Sequence, residues 1–326
     1  MPIVALRFVR SSWKSVVPAI AGLLSLGSIA ATPAHAQREQ WAVRYEGYGR
    51  GSTGTPWTPD GAPPATMLDS GITAQQLTLQ GGLRRVYGKD QNLMVLHGFV
   101  ARAARLGLPW PQGAVPSQSV ARQPLDLYAL QYDFWWLNTV SDVTTLGIIA
   151  RPGIFTDGRN IGLDHFRLEG AVFVDRVVGD NTTLGAGLAY GSNFGVAIPV
   201  PVLHVVHRRG SKVLIDGFIP QRLTAWWFPR KGLDLGLEAQ LFGAQYRLGD
   251  PAAQPRGAGQ FQFANGTVGP VLRWNVFGKT YLNAEAGTTV IRRFNFARFA
   301  TGPGEAVLGY DPGNAGYIKV GVVSLY

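Results

Sequence analysis

The sequence predicts an all-β chain that folds as an antiparallel transmembrane β-barrel of about 14 strands. Segments of about ten residues alternate apolar and polar side chains, which is the period-2 pattern of strands with one apolar face. Beyond residue 36, no apolar run approaches the roughly 18 residues that suggest a spanning helix. Short and long connections largely alternate along the chain, as in outer-membrane barrels, which have short periplasmic turns and longer outer loops.

The N-terminal residues 1–36 have the pattern of a secretory signal peptide. Three basic residues precede an almost unbroken apolar run at 16–31, and Ala34-His35-Ala36 is a small-x-small cleavage signal. We therefore expect a mature chain that begins at Gln37, is exported, and forms one barrel domain over 37–326 in the outer membrane.

The composition excludes several classes of protein. The chain has no cysteine, so it has no disulfide framework, thiolate metal site or cysteine nucleophile. Charged residues make up 15%, below the average of about 25% for soluble domains. Without the three cations of the predicted signal peptide, the formal charge of +10 falls to about +7. The remaining basic residues are scattered, so we expect no nucleic-acid partner.

The strands can be placed by counting back from the C-terminus, whose last strand is taken to run toward the periplasm. This gives 14 segments, with 12 strands as the main alternative and both mature ends in the periplasm. The predicted strands are 41–49, 74–86, 92–105, 125–137, 144–155, 166–178, 182–190, 196–207, 212–218, 221–228, 232–246, 261–277, 280–297 and 316–326.

The C-terminal strand, 316–326, ends on the aromatic residue Tyr326. Outer-membrane barrels present a strand of this type to their insertion machinery, so Tyr326 is the predicted assembly signal. The expected partners are therefore the barrel-insertion machinery during assembly, and outer-membrane lipid and lipopolysaccharide afterwards. A small solute of unknown identity is the remaining expected partner.

Several aromatic residues lie near the ends of predicted strands. They are Trp135, Trp136, Trp226, Trp227 and Phe228. Indole rings favour the headgroup level of a membrane, so these residues are predicted to form an interface girdle. The alternative is that the tryptophan pairs pack against a core.

Charged side chains on the polar faces of the strands are predicted to point into the lumen, because Arg or Lys facing lipid near the midplane costs roughly 2–4 kcal/mol. Two interpretations remain open: these residues line a water-filled pore, or they pair across strands and plug a narrow barrel. The positive excess would favour anions in a pore. The predicted lumen-facing residues are Asp133, Arg167, Glu169, Asp175, Asp216, Asp234, Glu238, Arg273, Glu285 and Lys319.

Residues 125–248 resemble a family of outer-membrane β-barrels of unknown function from Gram-negative bacteria. The likeness rests on the strand Thr182–Gly191, the prolines of Pro199-Val200-Pro201, the pair Ile219-Pro220, and the segment 243–248. The resemblance implies an outer-membrane location and a barrel fold. It implies no activity, because the family has no assigned function.

No residue pattern points to a cofactor or metal. His204 and His207 are three residues apart, so they lie on opposite faces of a regular strand and cannot chelate one ion. No catalytic residue is predicted, and the protein is not expected to be an enzyme. Two alternatives stay open: a lipid-modifying barrel enzyme with a Ser-His pair on neighbouring strands, and a secreted soluble β-protein.

Overall fold

The structure is a computed structural model that describes residues 39–49, 72–88, 92–108, 124–192, 195, 197–250, 254, 257–298 and 306–325. The predicted signal peptide and Tyr326 lie outside the described residues, so both remain predictions. In the described part of the chain, no helix is long and apolar enough to cross a membrane.

Fifteen strands and one 3-10 turn, Leu163–His165, make up the described chain. The strands are β1 (Glu39–Tyr48), β2 (Thr73–Tyr87), β3 (Leu93–Gly107), β4 (Leu125–Ser141), β5 (Thr144–Thr156), β6 (Phe166–Val177), β7 (Thr182–Gly191), β8 (Ile198–Arg209), β9 (Val213–Ile219), β10 (Arg222–Arg230), β11 (Leu233–Arg247), β12 (Gln260–Phe277), β13 (Thr280–Ala297), β14 (Ala306–Tyr310) and β15 (Gly316–Leu325).

Fourteen of these strands form a closed antiparallel barrel. Each strand from β1 to β13 pairs with the next, β13 pairs with β15, and β15 pairs with β1. Closure satisfies the backbone groups that would be exposed at a sheet edge. The prediction of 14 strands is confirmed, and the alternative of 12 is wrong.

Strand β14 is an addition to the ring rather than a part of it. It extends the end of β13 through the pairs Phe294↔Tyr310 and Phe296↔Leu308. This hairpin was not predicted from the sequence, because its five residues lie in a stretch that was interpreted as one long loop. It places Leu308 and Tyr310 among buried residues inside the barrel.

The connections separate by length between the two ends of the barrel. The short turns, such as those at Gly210 and Gly278, lie at the end where Glu39 pairs with Leu325. Both glycines have positive φ (59° and 53°), which glycine adopts without steric cost. The longer connections lie at the other end, which we call the long-loop end. The one short connection there, residues 220–221, joins β9 to β10.

The wall of the barrel is uneven at the long-loop end. Strands β9 and β10 have 7 and 9 residues, whereas β12 and β13 have 18 each. At the end of β11, Arg247 forms a parallel pair with Thr156 at the end of β5. Strands β5 and β11 therefore meet at the long-loop end, beyond the ends of the strands β6 to β10 that lie between them in the wall. This contact closes a smaller ring of nine strands at the long-loop end, without β6 to β10. The smaller ring explains why the residues on both faces of 260–267 are buried.

The two faces of the wall differ in character. Large apolar side chains on the outer face are exposed, for example Leu130, Leu168, Leu203 and Leu237 at 57–58%. Many polar and charged side chains on the inner face are buried, among them Gln131, Asp234 and Lys319. This arrangement is the reverse of a soluble β-protein and matches a barrel with lipid outside and polar groups inside.

Candidate functional site

The lumen at the long-loop end is filled by apolar side chains that the wall strands project inward. We call this group the outer core. Its largest members are Tyr48, Phe155, Tyr246, Phe261, Phe263, Phe294, Phe296, Tyr310 and Tyr317, all buried. Phe261, Phe263 and Phe294 stack on one another with ring centroids 6.2–6.4 Å apart. These rings form a packed apolar layer on the inner face of the wall at this end.

A polar clasp ties the outer core to the opposite wall. Arg247 Nε lies 2.6 Å from Asp164 Oδ2, and Arg247 Nη1 donates to the carbonyl oxygen of Gly259 at 3.0 Å. The backbone N–H of Gly249 donates to Asp157 Oδ1 at 3.0 Å. Partial burial acts to raise the pKa of Asp164, but the hydrogen bond and charge of Arg247 hold it below its ordinary value.

Below the outer core, the lumen contains a cavity of about 430 Å³. Its wall carries six cations and five acids, so its charge is nearly balanced and does not carry the anion preference expected from the net charge. The cations are Arg44, Arg102, Arg151, Arg222, Arg273 and Lys319, and the acids are Glu46, Asp133, Asp216, Glu238 and Glu285.

Most of these charges are satisfied by ion pairs. Arg151 Nε lies 2.7 Å from Asp133 Oδ1, and Arg222 Nη2 lies 3.4 Å from Asp216 Oδ2. Arg273 Nη2 lies 3.1 Å from Asp234 Oδ2, and its guanidinium stacks 3.8 Å above the ring of Trp226. Paired charges of both signs make the cavity polar without giving it one sign.

The buried pair of Lys319 and Glu285 is the most elaborate of these contacts. Lys319 Nζ lies 3.2 Å from Glu285 Oε1 and donates to Gln240 Oε1 at 2.8 Å. The hydroxyl of Tyr317 also donates to Glu285 Oε1. The ammonium group is 5.1 Å from the ring of Tyr317 and 5.7 Å from that of Phe242. This network connects the polar cavity to the lower edge of the outer core.

The ten residues predicted to face the lumen divide into two groups. Six of them line the cavity: Asp133, Asp216, Glu238, Arg273, Glu285 and Lys319.

The other four bond to neighbouring groups instead. Glu169 accepts from Gln131 Nε2 at 3.0 Å and from Ser192. Asp175 contacts His204 Nδ1 at 2.8 Å, and Asp234 pairs with Arg273. Arg167 donates to the carbonyl oxygens of Asp164 and Phe166, both at 2.8 Å, near the long-loop end.

Five charged residues of the cavity were missed by the sequence analysis. They are Arg44, Glu46, Arg102, Arg151 and Arg222. The signal was available in part, because Arg102 and Arg151 alternate with apolar residues on strands that were predicted. Strand 41–49 was poorly defined by its pattern, so Arg44 and Glu46 could not be assigned a face.

The predicted aromatic girdle is wrong for three of its five residues. Trp135 bonds to the inward-facing Asp133 at 2.9 Å, and Trp226 stacks under Arg273 in the cavity wall. Phe228 packs beside Trp226 on the inner face. Only Trp136 and Trp227 alternate with these inward residues, and Trp227 is 52% exposed.

Three of the four histidines in the described ranges contact an aspartate or threonine side chain. His204 contacts Asp175 at 2.8 Å, whereas His207, on the other face of β8, contacts Thr182 Oγ1 at 2.8 Å. His165 contacts Asp164. The backbone N–H of Gly162 also donates to His165 Nδ1 at 3.0 Å. Within the ranges that the structure describes, no three His, Asp or Glu side chains group in a way that would hold a metal ion.

Several solved structures are similar to this chain. One is the COG4313 outer membrane channel from Pseudomonas putida F1, with 10% identity, a TM-score of 0.42, and coverage of 92% of this chain and 100% of that chain. The P. putida toluene transporter TodX has 8% identity, a TM-score of 0.43, and coverage of 90% and 91%. A Pseudomonas aeruginosa FadL homologue has 10% identity, a TM-score of 0.34, and coverage of 87% and 89%. At these TM-scores, the similarities carry no conclusion about a solute.

No curated protein matches the sequence. A family model, described as "Domain of unknown function (DUF6268)", matches residues 119–299, which is more than half of the chain. This match includes the stretch 125–248 on which the resemblance to a barrel family of unknown function rested, and that prediction is confirmed. The chain belongs to the DUF6268 family.

Proposed function

We propose that the protein is an outer-membrane channel or facilitator that passes small polar solutes through its lumen, and that the structure is its closed state. The observation that carries the proposal is the cavity of about 430 Å³ with paired charges of both signs, enclosed by a closed barrel. A purely structural barrel has no need for so many charged side chains on its inner face, because desolvating charge is costly.

The outer surface supports placement in a membrane. On β4, Tyr128 and Trp136 both face outward and lie eight residues apart, with exposed Leu130 and Tyr132 between them. Eight residues span about 26 Å along a strand. With the usual tilt of 35–45°, this becomes about 20 Å of height, close to the apolar band of about 25 Å in outer-membrane barrels. Export by the signal peptide 1–36 is part of the same proposal.

The outer core supports the closed state. Its aromatic rings fill the lumen between the cavity and the long-loop end, and the clasp of Arg247 and Asp164 holds the tall strands over that end. A solute that enters the cavity therefore requires the outer core to move. We assign the clasp the role of stabilising the closed arrangement.

Solute flux into liposomes tests the proposal. We expect liposomes that contain the purified barrel to swell faster than empty liposomes in isosmotic solutions of small sugars or amino acids. The same preparation, heated before gel electrophoresis, should change its migration, which verifies that it is folded. A folded barrel that gives no more flux than empty liposomes would favour a structural role instead.

A further inference from the structure

One cation of the inner face stands apart from the paired charges of the cavity. Arg292 lies on β13, its residue is 4% exposed, and its guanidinium is 5.5 Å from the ring centroid of Phe294 in the outer core. Nη2 donates to the carbonyl oxygen of Ile72 at 3.3 Å. Nε and Nη1 are buried and make no hydrogen bond to any described residue.

Among the described residues, the groups around Arg292 offer little compensation for its charge. An arginine stays protonated in proteins, so burial leaves a cation beside the ring of Phe294. A buried charge without a counter-charge is unfavourable, and a bound ion or ligand that supplies the partner is one explanation for such a group. The other buried cations of the lumen, Arg273 and Lys319, each have an acid within 3.2 Å.

Arg292 lies on the inner face beside the polar cavity, although it is not one of the residues that line it. It pairs across the strands with Asn265, whose side-chain oxygen is also buried and without a hydrogen bond. Asn265 in turn pairs with Phe242, which lines the cavity. One row of the wall therefore runs from a cavity-lining ring to the unsatisfied guanidinium. This row lies where the cavity meets the outer core, because Phe242 lines the cavity and Arg292 contacts Ile72 and Phe294.

We propose that Arg292 is the centre of a binding site for a small monocarboxylate with an aromatic or short aliphatic body. The carboxylate accepts from the guanidinium N–H groups, and the apolar body packs against Phe294 and the other rings of the outer core. A multiply charged, strongly hydrated anion does not suit this site, because the rings cannot replace its water shell. This inference rests on the proposed function, since it names the class of solute that the lumen takes up.

Benzoate is a suitable probe, with benzamide as its neutral counterpart of the same shape. We expect isothermal titration of the full barrel in neutral detergent to show binding of benzoate, corrected for uptake into empty micelles, and little binding of benzamide. Arg292→Gln should weaken benzoate binding at least about tenfold, since a hydrogen bond to a charged group is lost. Equal binding of benzoate and benzamide, or of benzoate and inorganic phosphate, would overturn the inference.

The neighbouring Arg293 provides the matched control. It faces outward, its side chain is 62% exposed, and its Nε lies 3.2 Å from Asp311 Oδ1. Arg293→Gln should leave benzoate binding unchanged. In the absence of benzoate, Arg292→Gln should resist heat at least as well as Arg293→Gln, because it removes an uncompensated charge. A lower resistance with unchanged benzoate binding would assign Arg292 a purely structural role.

If Arg292→Gln does not fold, the proposed site can be tested with the wild-type protein alone. Benzoate should protect the folded band against heat more than benzamide does, and equal protection would overturn the inference. Flux of small sugars into liposomes separates this site from the proposed function. Flux of sugars without binding of benzoate would contradict only the proposed site at Arg292. Binding of benzoate without flux of sugars would contradict only the proposed channel function.

Discussion

Lys319 on β15 reaches Gln240 on β11, with Nζ 2.8 Å from the side-chain oxygen, although β13 and β12 lie between the two strands. The same ammonium group lies 3.2 Å from Glu285 Oε1 on β13. Because all three side chains point inward from a curved wall, one long side chain can span a corner of the lumen. The contact therefore ties three strands together through their side chains as well as through the backbone.

Lys319→Met should destabilise the barrel strongly. The substitution leaves the buried carboxylate of Glu285 without its counter-charge, and breaking a buried pair in this way costs about 3–5 kcal/mol. Urea unfolding in lipid vesicles, followed by tryptophan fluorescence, measures the effect. Combining Lys319→Met with Glu285→Gln should recover part of the lost stability.

The control for this prediction is Arg105→Met. Arg105 pairs with Asp126 at 2.7 Å, but the side chain of Arg105 is 62% exposed, and exposed pairs contribute only about 0–1 kcal/mol. Equal losses of stability in Lys319→Met and Arg105→Met would contradict a special role for the buried network.

Gly287 provides the space in which the ring of Tyr317 lies against the wall. A Cβ at position 287 would lie 2.2 Å from the carbonyl oxygen of Val268 and 3.0 Å from Cε1 of Tyr317. Gly287→Ala should therefore displace backbone or ring and lower the free energy of unfolding by about 1–3 kcal/mol.

At Gly316 an added Cβ would meet one backbone oxygen of the described residues, that of Gly287 at 3.9 Å. Gly316→Ala should therefore leave the unfolding midpoint nearly unchanged in the same urea titration. A larger loss of unfolding free energy in Gly316→Ala than in Gly287→Ala would show that contact with Tyr317 does not determine which glycines can be replaced here.

Leu237 tests whether the outer face contacts lipid. It is 57% exposed on the outer face of β11, as the fifth of the strand's 15 residues, so Leu237→Arg should cost about 2–4 kcal/mol if this position lies near the bilayer midplane. In the outer-membrane fraction, we expect a reduced amount of folded barrel. Asn283→Arg, which adds the same charge to the wall of the cavity, should be tolerated better. The opposite order would place water, not lipid, outside the barrel.

The alternation of side chains predicted the strands because each wall strand has an apolar outer face and a partly polar inner face. The same alternation also determines the face on which each tryptophan lies, which the predicted girdle did not take into account. Trp135 follows Asp133 by two residues, so it had to share the inner face. The burial of Asp234 and Lys319 follows from the same rule.

The pairing of Arg247 with Thr156 could not be predicted in this way. It joins residues that are 91 positions apart, and it arises from differences in strand height around the ring. Periodicity gives the face of a residue but not its height. The charge balance of the cavity could not be predicted either, because periodicity does not show which charged residues lie at its height. The net charge of the chain also includes cations at turns and on loops.

The pH response of the clasp follows from the pKa of Asp164. Its pKa in the folded barrel lies below the ordinary value of about 3.9, so the contribution of the clasp is complete above that value and is lost as the pH falls through the folded pKa. The permeability of wild-type liposomes should therefore stay constant from neutral pH to about pH 5 and rise only under stronger acid. A rise near neutral pH would point to a different titrating group.

The conductance of single barrels in planar bilayers, compared between the wild type and Asp164→Asn, tests the central claim most directly. Asp164→Asn removes the charge that holds Arg247 over the long-loop end and leaves the cavity wall unchanged. Wild-type barrels should show a small, mostly closed conductance, and the variant should open more often to a clear ohmic level. If neither protein conducts, although both are folded by their heat-modifiable migration, the lumen is not a passage for solutes.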